Sequence, residues 1–291
     1  MVFSIAEQAD RYATYILKDD RHPARLEVIP ERGGLITRWQ VAGQDMLYFD
    51  ADRFADPSKS VRGGIPILFP ICGNLPEDQY TWAGVTYTLK QHGFARDLPW
   101  VVRDRAIEAD AVALTLELTS TDQTRRQYPF DFRLRFTYRL QGAHLTLVQT
   151  FENRSDRPMP FATGLHPYFQ VQDKVALQFD LPATTYLDHL TQADGFYPGH
   201  FDFQQAEIDL ALRPLSAQTA TVRDPQQGTQ LTLQWSDAYS ALVFWAVQGK
   251  DYYCLEPWTA LRNALNTGDH LLTLAPGDSH TATVRLSVAP L

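Results

Sequence analysis

The sequence predicts an all-β protein folded as one domain, a large sandwich of mostly antiparallel sheets. Three observations predict it: hydrophobicity alternates with a period of two in segment after segment, helical periodicity is scarce, and turn residues fall between the alternating stretches. In a strand, successive side chains point to opposite faces, so alternation marks one face on a core and the other on solvent. The first turns are RGG at 32–34 and AG at 42–43. Val112, Leu114, Leu116 and Leu118 then share one strand face. The clearest case follows at 132–140, where Phe132, Leu134, Phe136, Tyr138 and Leu140 alternate with Arg133, Arg135, Thr137 and Arg139. A helix would scatter these residues around its circumference. QG at 141–142 closes that strand, and QQG at 226–228 precedes Leu231, Leu233 and Trp235. APGD at 275–278 precedes Ala282, Val284, Leu286 and Val288.

The 18 prolines are spread along the chain and interrupt most windows long enough for a helix. There is no internal repeat, low-complexity tract or Pro/Gly/Ser-rich linker, so residues 1–291 read as a single domain and a propeller is disfavoured. At 291 residues and 44% apolar content the chain can bury a large core. Its 26 Lys and Arg against 34 Asp and Glu leave a net charge of −8, without the basic excess that nucleic-acid binding needs. The longest apolar runs, such as ALVFWAV at 241–247, are too short to cross a bilayer as a helix. The first twenty residues are polar and mixed in charge, unlike a signal or transit peptide, and this predicts a cytoplasmic protein. Cys72 and Cys254 are too few for a disulfide scaffold and predict reduced thiols.

Four segments interrupt the strand rhythm and combine Gly or Pro with ionisable side chains: VRGGIPILFPICGNLP at 61–76, KQHGFARDLPW at 90–100, TGLHPYF at 163–169 and CLEPWTALRNALNTGD at 254–269. A backbone fixed by Gly and Pro can aim a His, Arg or Glu in a definite direction, as catalysis requires. His166 and Glu256 are the candidate acid and base, since an imidazole can give a proton near neutral pH and a carboxylate can take one. Each has a plain structural alternative: a hydrogen-bonded histidine at a strand end beside Pro167, and a surface carboxylate before Pro257. Arg62 in RGGIP and Arg96 in HGFAR suit guanidinium forks directed at ligand oxygens, or structural ion pairs. His92, four residues before Arg96, either joins them or caps a strand end. Phe94, Phe169 and Trp258 are candidates for stacking on a sugar ring, or are core. HExxH and CxxC patterns are absent, which disfavours a metal; GxGxxG, GxxxxGK[ST] and GxSxG are absent too, so nucleotide cofactors and serine-hydrolase chemistry have no support.

Taken in order, RGGIP, QHGFAR, the Gly164–His166–Tyr168–Phe169 segment and EPWT resemble the aldose 1-epimerase (mutarotase) family across roughly residues 30–280. They resemble in particular its hexose-6-phosphate mutarotase branch. The resemblance implies a galactose mutarotase-like β-supersandwich with the sugar in a groove across one sheet. It implies His166 as general acid and Glu256 as general base, Arg62, His92 and Arg96 as sugar ligands, and no cofactor or metal. A site aspartate belongs between the acid and the base; Asp209 in AEIDLAL is the better match, although Leu210 stands where close relatives tend to have Arg, and Asp188 in TYLDHL is the competitor.

The implied reaction interconverts the α and β anomers of an aldose. One group protonates the ring oxygen while the other takes the anomeric hydroxyl proton; the open aldehyde turns about C1–C2 and closes with the roles reversed. It requires His166 and Glu256 to meet at opposite edges of one pyranose-sized hollow. The expected partner is a small sugar or sugar phosphate, with Arg62 and Arg96 inclining the choice towards a hexose 6-phosphate, and with no nucleic acid or membrane; the expected assembly is a monomer or weak homodimer. Two rival readings remain: a non-catalytic sugar-binding or sugar-sensing protein on the same fold, and a glycoside hydrolase or lyase using Asp209 with Glu256.

Overall fold

A computed structural model describes residues 2–9, 11–56 and 58–291. Strands dominate it, and the three α-helices, Ala51–Ala55, Asp122–Gln127 and Ala264–Thr267, have four to six residues each. Each predicted alternating segment is a strand: Val112–Thr119, Phe132–Gln141, Thr229–Trp235 and Ser279–Pro290; the apolar run at 241–247 is a strand too. The glycines at 33, 43, 142, 228 and 277 all have positive φ in the turns predicted around them.

Three sheets carry the architecture. Near the N-terminus, Phe3–Ala9, Ala13–Asp19, Ala24–Ile29, Leu35–Val41 and Gln44–Asp45 form a five-stranded meander. The second sheet has eight strands and runs from Gln178–Asp180 through Thr219–Asp224, Thr229–Trp235, Ser279–Pro290, His144–Asn153, Phe132–Gln141 and Val112–Thr119 to Val101–Ile107. Its central pairs are antiparallel, with Phe136 opposite Gln149 and Leu147 opposite Val284. The predicted apolar face from Phe132 to Leu140 is buried. The other face carries cross-strand ion pairs, such as Arg135 to Glu117 at 2.9 Å, the arrangement that opposite charges on facing strands favour.

The third sheet positions the site. Its order is Asp194–Phe196, Thr185–Asp188, Glu207–Leu212, Ala241–Val247, Tyr252–Trp258, Gly164–Leu165 and Ile67–Leu68, with Tyr168–Gln170 also paired to Tyr252–Trp258. Register places Asp209 opposite Trp245 and Val243 opposite Glu256. Because strand faces alternate, Ile208, Leu212, Leu242, Phe244, Tyr253 and Leu255 turn into the main core. Asp209, Val243, Trp245, Glu256 and Trp258 therefore line the opposite, concave face. The core cluster is continuous from Phe3 to Leu286, so the sheets share one interior and form one domain. Phe69 sits at a crossing of aromatic rings from several elements, among them Phe94, Tyr128, Phe132, Phe151 and Phe161.

Candidate active site

Backbone geometry seats the RGGIP and HGFAR segments. Gly64 has φ +67, and a Cβ there would lie 2.1 Å from the carbonyl oxygen of Ile36, so only glycine lets the chain pass so close to that strand. Just before it, the Arg62 guanidinium donates to the hydroxyl of Tyr252 at 3.2 Å and lies over the Trp245 ring at 5.3 Å. Gly93 has φ +69, and its Cβ would meet the Phe69 carbonyl oxygen at 2.2 Å. His92, itself at φ +67, is strapped twice to Gly73: its amide donates to the Gly73 carbonyl at 2.7 Å, and its Nδ1 accepts from the Gly73 amide at 3.0 Å. With Nδ1 accepting, the neutral ring carries its proton on Nε2, and burial holds the His92 pKa well below the usual histidine range. His92 is thereby a fixed N–H donor. Arg96 donates from its NH2 group to the Gln91 carbonyl at 2.9 Å, while its Nε is buried without a partner.

His166 enters between strands, its amide bonded to the Pro66 carbonyl at 3.0 Å. The ring stacks on Tyr168 with centroids 4.7 Å apart and planes within 4°, and its edges meet His92 and Trp245. Packing on three sides fixes the imidazole plane. Glu256, 1% exposed, receives the indole N–H of Trp258 on Oε2 at 3.1 Å. Its Oε1 lies 3.4 Å from Nδ1 of His166, long for a hydrogen bond, and that Nδ1 has no partner. Nε2 is then the nitrogen of His166 left for a ligand.

These two groups lie side by side rather than at opposite edges of the hollow. Strand register accounts for the difference, because Glu256 lies on the strand that pairs with both Gly164–Leu165 and Tyr168–Gln170, the strands flanking His166. Burial is also the main influence on both proton affinities, since it penalises charge. It pushes His166 down to about 3 and Glu256 well up, the latter helped by the nearby Asp209 charge and opposed by the Trp258 hydrogen bond and by Arg262 and Arg96. Before substrate enters, the pair therefore favours its uncharged form, with the mobile proton on the carboxyl group and a neutral imidazole.

His166, Glu256, Arg62, His92, Arg96 and Asp209 all line one cavity of about 270 Å³, small among ligand pockets and on the scale of a single hexose. Asp209 is the aspartate brought to the site. Its Oδ2 accepts from Arg262 at 2.5 Å and its Oδ1 meets Nδ1 of His189 at 2.8 Å. Asp188 instead closes a turn, accepting the amides of Leu190 at 2.7 Å and Thr191 at 3.2 Å. Leu210 faces the core, and the guanidinium that meets Asp209 comes from Arg262. Two of the three proposed stacking rings are elsewhere: Phe94 and Phe169 belong to the main core, and only Trp258 reaches the site. Burial of Glu256 also overturns the surface-carboxylate alternative.

Sequence reasoning missed Arg262, His189, Trp245, Tyr252 and Glu207, whose Oε1 accepts from the Trp245 indole at 2.7 Å. Strand alternation carried a signal for Glu207, which is polar on the same face as Asp209 of an otherwise apolar strand. His189 had none. Beyond Arg262 lies a larger cavity of about 1070 Å³, which contains neither His166 nor Glu256. A third, of about 990 Å³, shares Ser60, Gln91, Arg96 and Arg262 with the site and adds Arg32, Lys59 and Lys90. Asp78 and Asp97 line this adjoining cavity as well, so cations outnumber carboxylates there without excluding them. Among the described residues, no helix is long and apolar enough to cross a membrane.

Comparison with known proteins agrees with this fold. The crystal structure of Slr1438 from Synechocystis sp. PCC 6803 superposes with a TM-score of 0.95, at 47% identity and 99% coverage of both chains. A galactose mutarotase-like protein from Clostridium acetobutylicum shares the fold at 18% identity, with a TM-score of 0.83 and 99% coverage of both. In sequence, the chain is 29% identical over 175 residues to an Escherichia coli (strain K12) protein provisionally named glucose-6-phosphate 1-epimerase; the match takes in 59% of this chain and about half, 54%, of that relative. It is 25% identical over 279 residues to protein LacX of Lactococcus lactis, covering 85% of each. The aldose 1-epimerase family model matches residues 20–287, and with nearly the whole chain inside that match, this protein belongs to the aldose 1-epimerase family.

Proposed function

We propose that the protein is a cofactor-independent mutarotase that interconverts the α and β anomers of an aldose, with a hexose 6-phosphate as the favoured substrate. One observation carries the reading: His166 and Glu256 stand 3.4 Å apart in a hexose-sized cavity whose other walls are hydrogen-bonding groups and aromatic faces. The pair shares one mobile proton. Ring opening moves a proton from the anomeric hydroxyl to one member while the other member delivers its proton to the ring oxygen. With the imidazolium–carboxylate form, His166 is the acid and Glu256 the base; the reaction leaves the uncharged form, which closes the ring in reverse roles after rotation about C1–C2. Both forms hold the same number of protons, so the cycle can be entered from either. Substrate oxygens supply the hydrogen bonds that the buried groups lack in the free site, and fixed placement removes the entropic cost of gathering acid, base and sugar.

Arg62, Arg96 and the Nε2–H of His92 serve as donors to sugar or phosphate oxygens, and Asp209 as an acceptor held in place by Arg262 and His189. Arg62 and Arg96 in the cavity, with Arg32, Lys59 and Lys90 around the adjoining one, support an anionic substrate, since a dianionic phosphate is drawn towards guanidinium and ammonium groups. A glycosidase pair of Asp209 and Glu256 has less support, because it leaves His166, 3.4 Å from Glu256, without a role. The site is complete within one chain, which suits a monomer or weak homodimer. Two free, buried cysteines suit a cytoplasmic setting.

The test is anomer exchange by polarimetry or NMR on freshly dissolved α-glucose 6-phosphate, α-glucose and α-galactose. Acceleration is expected with all that bind, and most with the phosphorylated sugar. No acceleration with any of them sinks the enzyme reading, and calorimetric binding without faster exchange establishes the non-catalytic sugar-binding alternative.

A further inference from the structure

Directly beside the acid–base pair lies a residue that the proposed chemistry leaves unused. Cys254 is buried on the same strand as Glu256, and its Sγ lies with one ligand atom each of His166 and Glu256 in a group whose members are all within 4.8 Å of one another. We infer that these three side chains form an inhibitory site for a thiophilic divalent cation, Zn²⁺ above all, and that occupancy stops anomer exchange. One donor separation already matches what the ion needs, and the sulfur lies within 4.8 Å of the other two donors. Zinc–ligand distances of about 2.0–2.3 Å put neighbouring donors of a tetrahedron about 3.3–3.8 Å apart, and His166 Nδ1 and Glu256 Oε1 are already 3.4 Å apart. A second observation points to a ligand as well: Nδ1 of His166 is a buried nitrogen with no partner, on a residue more than nine-tenths buried. Orphaned buried polar atoms are uncommon in folded proteins.

The charges balance. Cys254 gives up its thiol proton and Glu256 its carboxyl proton to solvent as the S–Zn and O–Zn bonds form, and the two anions neutralise the dication. Arg62 and Arg96 in the same cavity oppose a cation, so the site is weaker than a dedicated structural one. Thiolate and carboxylate ligands bind only after losing their protons, so binding tightens as pH rises. Inhibition follows because the ion holds the Glu256 carboxylate and Nδ1 of His166, so the pair can no longer carry its mobile proton. This inhibitory half rests on the acid–base assignment above; the binding half does not.

Metal-free protein is titrated with Co²⁺ in the absence of sugar, then with Zn²⁺, while anomer exchange is followed separately. A thiolate-to-cobalt charge-transfer band that Zn²⁺ abolishes is expected, with Zn²⁺ inhibition reversed by a chelator. Cys254→Ala is expected to lose the band and the zinc sensitivity while keeping metal-free turnover; Cys72→Ala is expected to keep both. His166→Asn, read by the cobalt band alone, is expected to weaken binding by more than the ~10-fold typical of losing an outer partner of a metal ligand; it serves if Cys254→Ala does not fold. Absence of the band in the parent protein, its survival in Cys254→Ala or full-strength binding to His166→Asn overturns the inference. A protein that shows the band but no turnover with any sugar overturns the mutarotase reading instead.

Discussion

The indole N–H of Trp258 donates to Oε2 of Glu256 across 3.1 Å, from two positions further along the same strand. Both side chains therefore share the concave face, and the donor fixes the carboxyl plane while favouring its ionised form. Anomer exchange should fall on the alkaline side as pH rises through the raised pKa of Glu256, where the pair loses its one mobile proton. Loss of the indole donor in Trp258→Phe should move that limb to higher pH. Asp209→Asn, which removes a neighbouring negative charge, should move it to lower pH. Rate–pH profiles of kcat check both signs, and limbs that move the other way refute the electrostatic account.

Glu256→Gln and His166→Asn should each lower kcat by about 100-fold or more, the usual scale for a lost general acid or base. Because the two share one proton, the double variant should be hardly worse than either single one. Steady-state kinetics of the three variants test this, and additive losses point to independent roles.

Arg96→Ala should raise KM for glucose 6-phosphate by roughly 10-fold or more, the scale of a lost charge-assisted hydrogen bond, with a much smaller effect on glucose. Parallel KM measurements on the two sugars decide it, and equal effects point away from a phosphate contact.

Burial of Glu256 has a thermodynamic consequence as well. Its proton is held more tightly in the folded than in the unfolded chain, so the contribution to stability is full below the usual glutamate pKa and is lost as pH rises through the raised value. Glu256→Gln carries no such penalty and should be more stable than the parent by ~1 kcal/mol at neutral pH, a typical gain when a functional group is removed. The gain should shrink towards zero in acid. Thermal melts at several pH values measure it, and a gain that grows in acid contradicts the assignment.

Gly93→Ala should destabilise the fold by more than ~1 kcal/mol, since the new Cβ meets the Phe69 carbonyl in a backbone conformation that favours glycine. The distortion should also release His92 from Gly73 and depress turnover. Chemical denaturation together with kcat tests the pair of effects; unchanged stability places the chain there differently.

Much of the fold was legible because strand faces alternate: Phe132 to Leu140 had to lie in sheet, and the positive-φ glycines marked the turns. The four Gly- and Pro-bearing segments pointed to His166, Glu256, Arg62, His92 and Arg96, all of which line one cavity. Sequence could not show that Phe94 and Phe169 belong to the core, because an aromatic beside a site motif has the same composition whichever face it takes. Nor could it find His189, whose ring meets Asp209 of the adjacent strand and stacks on Trp258.

By itself, then, the sequence determined the sheet architecture and the residue types available for proton transfer, because periodicity and backbone restriction are local properties. Only the tertiary structure decided that Asp209 rather than Asp188 enters the site, that Arg262 supplies its counter-charge, and that His166 and Glu256 are neighbours. Those relations depend on strand register and on contacts between residues far apart in the chain, where burial rather than local sequence sets the proton affinities.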